Sequence, residues 1–169
     1  MNTANWHLVI NHLPLVGIMI GLLILVTGFF WNAQPVIKRI AMGVFVFSAA
    51  AAIPAYLTGE GAEEVAEHLP GVAESFIEKH EDWGKIFFIS TEILGLLALI
   101  TLLESVWKNR FAPGLSFLVF LVAAGVLFTA KMTGTSGGEI RHTEIRQNVP
   151  SPQTGANEQT NNTEKDDDD

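Results

Sequence analysis

The run WHLVINHLPLVGIMIGLLILVTGFFW, residues 6–31, decides the fold. From residue 13 to residue 31 it holds no charge, and at about 1.5 Å of helical rise per residue it extends roughly 28 Å, enough to cross the hydrocarbon core of a bilayer. It reads as a membrane span. Its entrance carries two metal-capable imidazoles, His7 and His12, with Pro14 in the turn that follows. The N-terminus, MNTANWHL, has no basic region and no small-residue cleavage site, so the span is expected to be retained.

Three further apolar runs follow. After the short polar connection NAQPVIKR, residues 40–58 are uncharged, rich in alanine, and contain Pro54, which a membrane helix tolerates where neighbours satisfy the freed carbonyl. Residues 59–82 are acidic and divided by Pro70 and Gly71. Val65, Leu69, Val72, Phe76 and Ile77 recur there at helical spacing, which predicts two short amphipathic helices on the membrane surface. Residues 83–103 form the third span, with Glu92 about two turns below its start; residues 115–130 form a shorter fourth, which Arg110 and Lys131 can extend by snorkelling. GTSGGEIRHTEIR then reads as a glycine-punctuated segment, and residues 148–169 as a disordered acidic tail.

The expected fold is therefore all-α: an integral membrane four-helix bundle, residues 1–147, with short surface helices between spans 2 and 3. No internal repeat is evident, although the two helix pairs are similar in length. A chain that is 49% hydrophobic and only 17% charged departs from soluble domains in the direction this reading requires. The absence of cysteine excludes disulfides, thiolate metal sites, iron–sulfur clusters and covalent haem attachment. The ten Lys and Arg form no basic face, so nucleic acid is not an expected partner.

Lys38 and Arg39 belong to the first short connection and Lys108 and Arg110 to the second, which places both on the cytoplasmic side. Both termini and the acidic loop then face the periplasm of a bacterial inner membrane. With an even number of spans, all five histidines (His7, His12, His68, His80 and His142) fall at one rim. Neutral imidazole ligates zinc, copper and haem iron, and carboxylates such as Glu81 beside His80 can orient the ring. The plainer account is that interfacial histidines tolerate both water and lipid. Glu92 is the second sharp feature, because an ionisable side chain inside a span is a functional candidate by default. Its bland alternative is a protonated acid bonded to a neighbouring helix. Gly17 and Gly21, with Gly28 farther on, favour close helix packing, and the same missing side chains could make room for a macrocycle.

HLVINHLPLVG, the HEDWG start of the third span and the closing TGTSGGEIRH resemble the bacterial four-span membrane proteins of domain-of-unknown-function family 2231, over residues 6–145. The resemblance implies the four-span fold and singles out His7, His12, His80 and His142. It brings no established reaction, though redox roles are suspected of its members. This chain departs at Leu8 and Leu13, where the family often has proline and phenylalanine, and near Thr135 and Ser136, where a further histidine is frequent.

The expected function is electron transfer by a haem b or other redox-metal centre, with His12 and His80 as one axial pair and His7 and His142 as a second. A copper- or zinc-handling site would use His7, His12, His80 and His142 completed by Glu81 or Glu92. A third reading is a cofactor-free scaffold subunit docking through the acidic loop. No nucleophile–base arrangement or phosphate loop appears, so a binding module is expected rather than a catalyst. Implied partners are the bilayer, a membrane or periplasmic redox protein, and a second copy in a homo-oligomer.

Overall fold

A computed structural model describes residues 2–30, 35–107 and 112–146, and these residues form α-helices, one short 3-10 turn and no strand. Helix α1, Thr3–Ile10, starts where the Asn2 side chain accepts the Asn5 amide at 3.0 Å. It stops because Pro14 has no N–H for the Ile10 carbonyl and its ring would strike it. Asn11 takes the break. Pro14 then sits in the first turn of α2, His12–Phe30, where a missing donor costs nothing. Proline likewise begins α3, Pro35–Leu57. Helix α4, Gly59–Glu67, follows after Thr58 alone, and Pro70 with Gly71 at φ 80° separates it from α5, Glu74–Trp107. Helix α6, Ala112–Arg141, completes the bundle.

The hairpins α2/α3 and α5/α6 lie side by side, closed into a ring by α3 against α5 and α2 against α6. Ile18, Leu25, Met42, Phe45, Leu94, Val119 and Val126 meet at the centre. The outside is equally apolar: Leu23, Leu96 and Phe117 are 67%, 61% and 55% exposed, surface that only lipid can cover without cost. Four helices are long and apolar enough to cross a membrane. Where hydroxyls enter the core, Ser48, Thr101, Ser105 and Ser116 donate to a carbonyl of their own helix at 2.7–2.8 Å, so they carry no unmet bond into lipid.

The elements are longer than the apolar runs. The second expected surface helix is the first turns of α5, continuous with the third span, because nothing between Glu74 and Trp107 breaks a helix. The glycine-punctuated segment is helical to Arg141: neighbours outweigh the weak helix propensity of Gly134, Gly137 and Gly138. Lys38 and Arg39 lie within α3 rather than in a connection, and Arg39 reaches across to the hydroxyl and carbonyl of Ser105 near the end of α5. The expectations for Trp31, Lys108, Arg110 and the tail lie outside the described residues.

Candidate functional site

His7 stands on α1 and His80 on the second turn of α5, at one rim of the bundle. Each imidazole is half-buried, His7 against the end of α3 and His80 against α6. His7 Nδ1–H donates to the Ala55 carbonyl at 3.0 Å and to the Thr58 hydroxyl at 3.3 Å. His80 Nδ1–H donates to the Thr133 carbonyl at 3.0 Å and to the Ser136 hydroxyl at 3.2 Å. The Ser136 hydroxyl donates to that same Thr133 carbonyl at 3.0 Å, and the Thr58 hydroxyl to the Pro54 carbonyl at 2.8 Å and the Ala55 carbonyl at 3.1 Å.

The two arrangements are one motif used twice. A carbonyl at one position, a hydroxyl three residues on and a glycine immediately after it (Ala55, Thr58, Gly59; Thr133, Ser136, Gly137) receive a histidine, from α1 in the first half and from α5 in the second. A Cβ on Gly137 would lie 2.9 Å from His80 Cε1 and one on Gly59 3.8 Å from His7 Cε1, so each ring edge rests over a glycine. The halves run in the same direction, the relation of a parallel repeat about an axis along the membrane normal.

The chemistry of the pair follows from the donors. A carbonyl oxygen can only accept, so Nδ1 carries a hydrogen in both rings, and in the neutral ring Nε2 keeps its lone pair. Ligating histidines are held in this way, with the other ring nitrogen bonded to a carbonyl, carboxylate or water. Asn11, one residue before His12, adds a side-chain Oδ1 that is buried without a hydrogen-bond partner.

The remaining candidates do not converge. His12 is exposed, within electrostatic range of His7. His142 is exposed and pairs locally with Glu144 at 2.9 Å. The Glu144 backbone amide and then this histidine hold its carboxyl below the usual carboxylate range. His68 bonds its own helix at the Glu64 carbonyl, 2.7 Å away. Glu81 is exposed and spent on Lys85 at 2.7 Å. Glu92 lies three turns along α5 from His80, about 18 Å at 1.5 Å per residue. Among the described residues no three His, Asp or Glu side chains gather closely enough to hold a metal ion. His7 and His80 are thus the two imidazoles held alike, whereas His12 and His142, their expected partners, are exposed.

The glycine face of α2 is packing surface. A Cβ on Gly17 would overlap the Ser48 hydroxyl, one on Gly21 would lie 2.8 Å from Phe45, and one on Gly28 3.0 Å from Lys38. No slot for a macrocycle lies between α2 and α3. The rim is braced elsewhere: Glu139, 5% exposed, accepts from Lys79 at 2.7 Å, while Arg146 donates to the carbonyls of Glu139 and Ile140 at 2.7 and 3.0 Å and covers the Phe76 ring at 4.3 Å. Sequence reading missed Asn11, Thr58 and Ser136, although the shared hydroxyl–glycine step of AYLTG and TGTSG was a usable signal. Comparison with known proteins found no matching family model, no matching curated protein and no matching solved structure.

Proposed function

We propose that this membrane protein is an electron-transfer module in which His7 and His80 hold one redox-metal centre, haem b iron or a bare metal ion, at the periplasmic rim. The observation that carries the reading is the matched pair of Nδ1–H···O=C bonds, which leaves an Nε2 lone pair on each of two rings at one rim. The donor set fits bis-imidazole ligation, which asks the protein for two nitrogens and no third ligand. A reversible one-electron change is the chemistry the bound group would supply.

The chain's own part is to hold and orient. Thr58 and Ser136 keep both rings in one tautomer, and Gly59 and Gly137 let the ring edges sit against backbone. The bundle below the rim closes the membrane side, so electrons would be exchanged with a partner docking from the periplasm. We further propose membership of domain-of-unknown-function family 2231, on the motifs quoted above, and an inner-membrane location with both termini periplasmic. Tag accessibility in intact cells would test that location: termini in different compartments would contradict it.

The packed glycine face favours a second form of the same reading, a bare copper ion, because it fills the space beside α2 that the glycines could have left for a macrocycle. An absorption spectrum and elemental analysis of the detergent-purified protein test both forms. A Soret band with a sharp α peak in the reduced-minus-oxidised spectrum supports haem, and stoichiometric metal without porphyrin supports the bare ion. A colourless, metal-free protein, expressed with haem and metals supplied, would end the reading.

A further inference from the structure

Along the seam between α3 and α5 one side chain is explained by none of the packing above. Glu92 is the one ionisable residue of α5 between Lys85 and Glu104, and its Oε1 is buried with no hydrogen-bond partner. The residue before it in the chain, Thr91, is 0% exposed, and its hydroxyl also lacks a partner. That separates Thr91 from the other buried hydroxyls, since Ser48, Thr101, Ser105, Ser116 and Ser136 all donate to a carbonyl of their own helix. The carbonyl that Thr91 would use, on Phe87, already accepts the Ser90 hydroxyl at 3.0 Å.

The surroundings are dry and free of charge. One turn towards the histidine rim Phe88 stacks on Tyr56 with ring centroids 4.5 Å apart, and about one turn the other way Gly95 lets α5 close onto Ala49. Ile89, Ile93 and Leu96, beside Glu92 on α5, face outward to lipid. Tyr56 is the titratable group on the adjoining stretch of α3, and residues 13–30 of α2 and 112–130 of α6 contain none. Glu60, Glu63 and Glu67 of α4, with Lys131 and Glu139 of α6, belong to the rim. Among the described residues no ion pair reaches Glu92.

An ionised carboxylate inside a span costs about 2.5 kcal/mol or more by insertion scales, and no ion pair is present to offset it. Nor does Glu92 serve as glue between helices through Oε1, which bonds to no neighbour. We propose that Glu92 is a proton-binding site within the membrane, carrying its proton at neutral pH. Binding takes one proton from water and leaves a neutral acid; no other bond changes. The proposal does not depend on the metal site.

Infrared spectroscopy of the full-length protein in liposomes tests it. The expected result is a protonated-carboxyl carbonyl stretch at neutral pH that Glu92→Gln abolishes. Absence of that band, or a band that Glu92→Gln leaves in place, overturns the proposal. Should Glu92→Gln fail to assemble, a membrane-permeant carbodiimide, which adds to protonated carboxyls, is applied to the wild type. An adduct mapped to Glu92 at neutral pH supports the site, and an unmodified Glu92 overturns it.

Discussion

In the first half of the bundle the imidazole stands on a separate helix, α1, joined to its span through the break at Asn11. In the second it stands on α5, which enters the membrane without interruption. Both rings are held by the same carbonyl–hydroxyl pair, at nearly the same distances. What differs is the bracing behind them. His80 has Lys79 beside it, bonded to the buried Glu139, and Arg146 across the end of α6; α1 rests on α4, where Thr3 meets Gly61. A braced imidazole and a hinged one therefore share one rim, and α1 is the part positioned to move.

Removing the brace is the strongest way to break this asymmetry. Lys79→Ala strands a carboxylate that is 5% exposed, and the expected loss is roughly 1–3 kcal/mol, read as a lower thermal midpoint in detergent. Substitution of Thr3, its nearest counterpart in the first half, is expected to change the midpoint less. Next come the two glycines. Gly137→Ala puts a methyl 2.9 Å from the His80 ring and is expected to drive it off Thr133, at roughly 1–2 kcal/mol, whereas Gly59→Ala meets His7 at an ordinary 3.8 Å and should be neutral. Hydrogen exchange of the imidazole Nδ1 proton by NMR distinguishes them.

Smaller effects sharpen the likeness between the halves. Thr58→Ala and Ser136→Ala each remove one acceptor and leave the carbonyl, so each is expected to cost roughly 0.5–1 kcal/mol by chemical denaturation, by similar amounts. A large inequality would break the equivalence. The smallest effect is at His142. Because the Glu144 carboxyl is held below its usual range, its contact with His142 is present above the ordinary carboxylate pKa and is lost as pH falls through the lowered one. A carboxylate NMR titration should find it there, and His142→Ala should leave the rim site unchanged.

The spans were legible because their signal is composition: a charge-free run of bilayer length reads the same whatever it packs against. The rim was half legible. Even spans put the histidines at one end, but which two would meet depends on helix ends: α6 continues through Gly134, Gly137 and Gly138 to carry Ser136 under His80, and no local propensity announces that. His142 was overvalued for the same reason, since a terminus past the last turn leaves it in solvent. The hydroxyls that hold the rings were unreadable singly, because a threonine or serine in a span ordinarily bonds its own helix.

The central claim is one centre shared between the two halves, and equilibrium titration of the ligand-free protein with haem or copper in detergent tests it most directly. The account predicts one equivalent bound per chain, and none in either His7→Ala or His80→Ala. Two equivalents per chain, with one kept by each single variant, or no binding to the wild type, would contradict it.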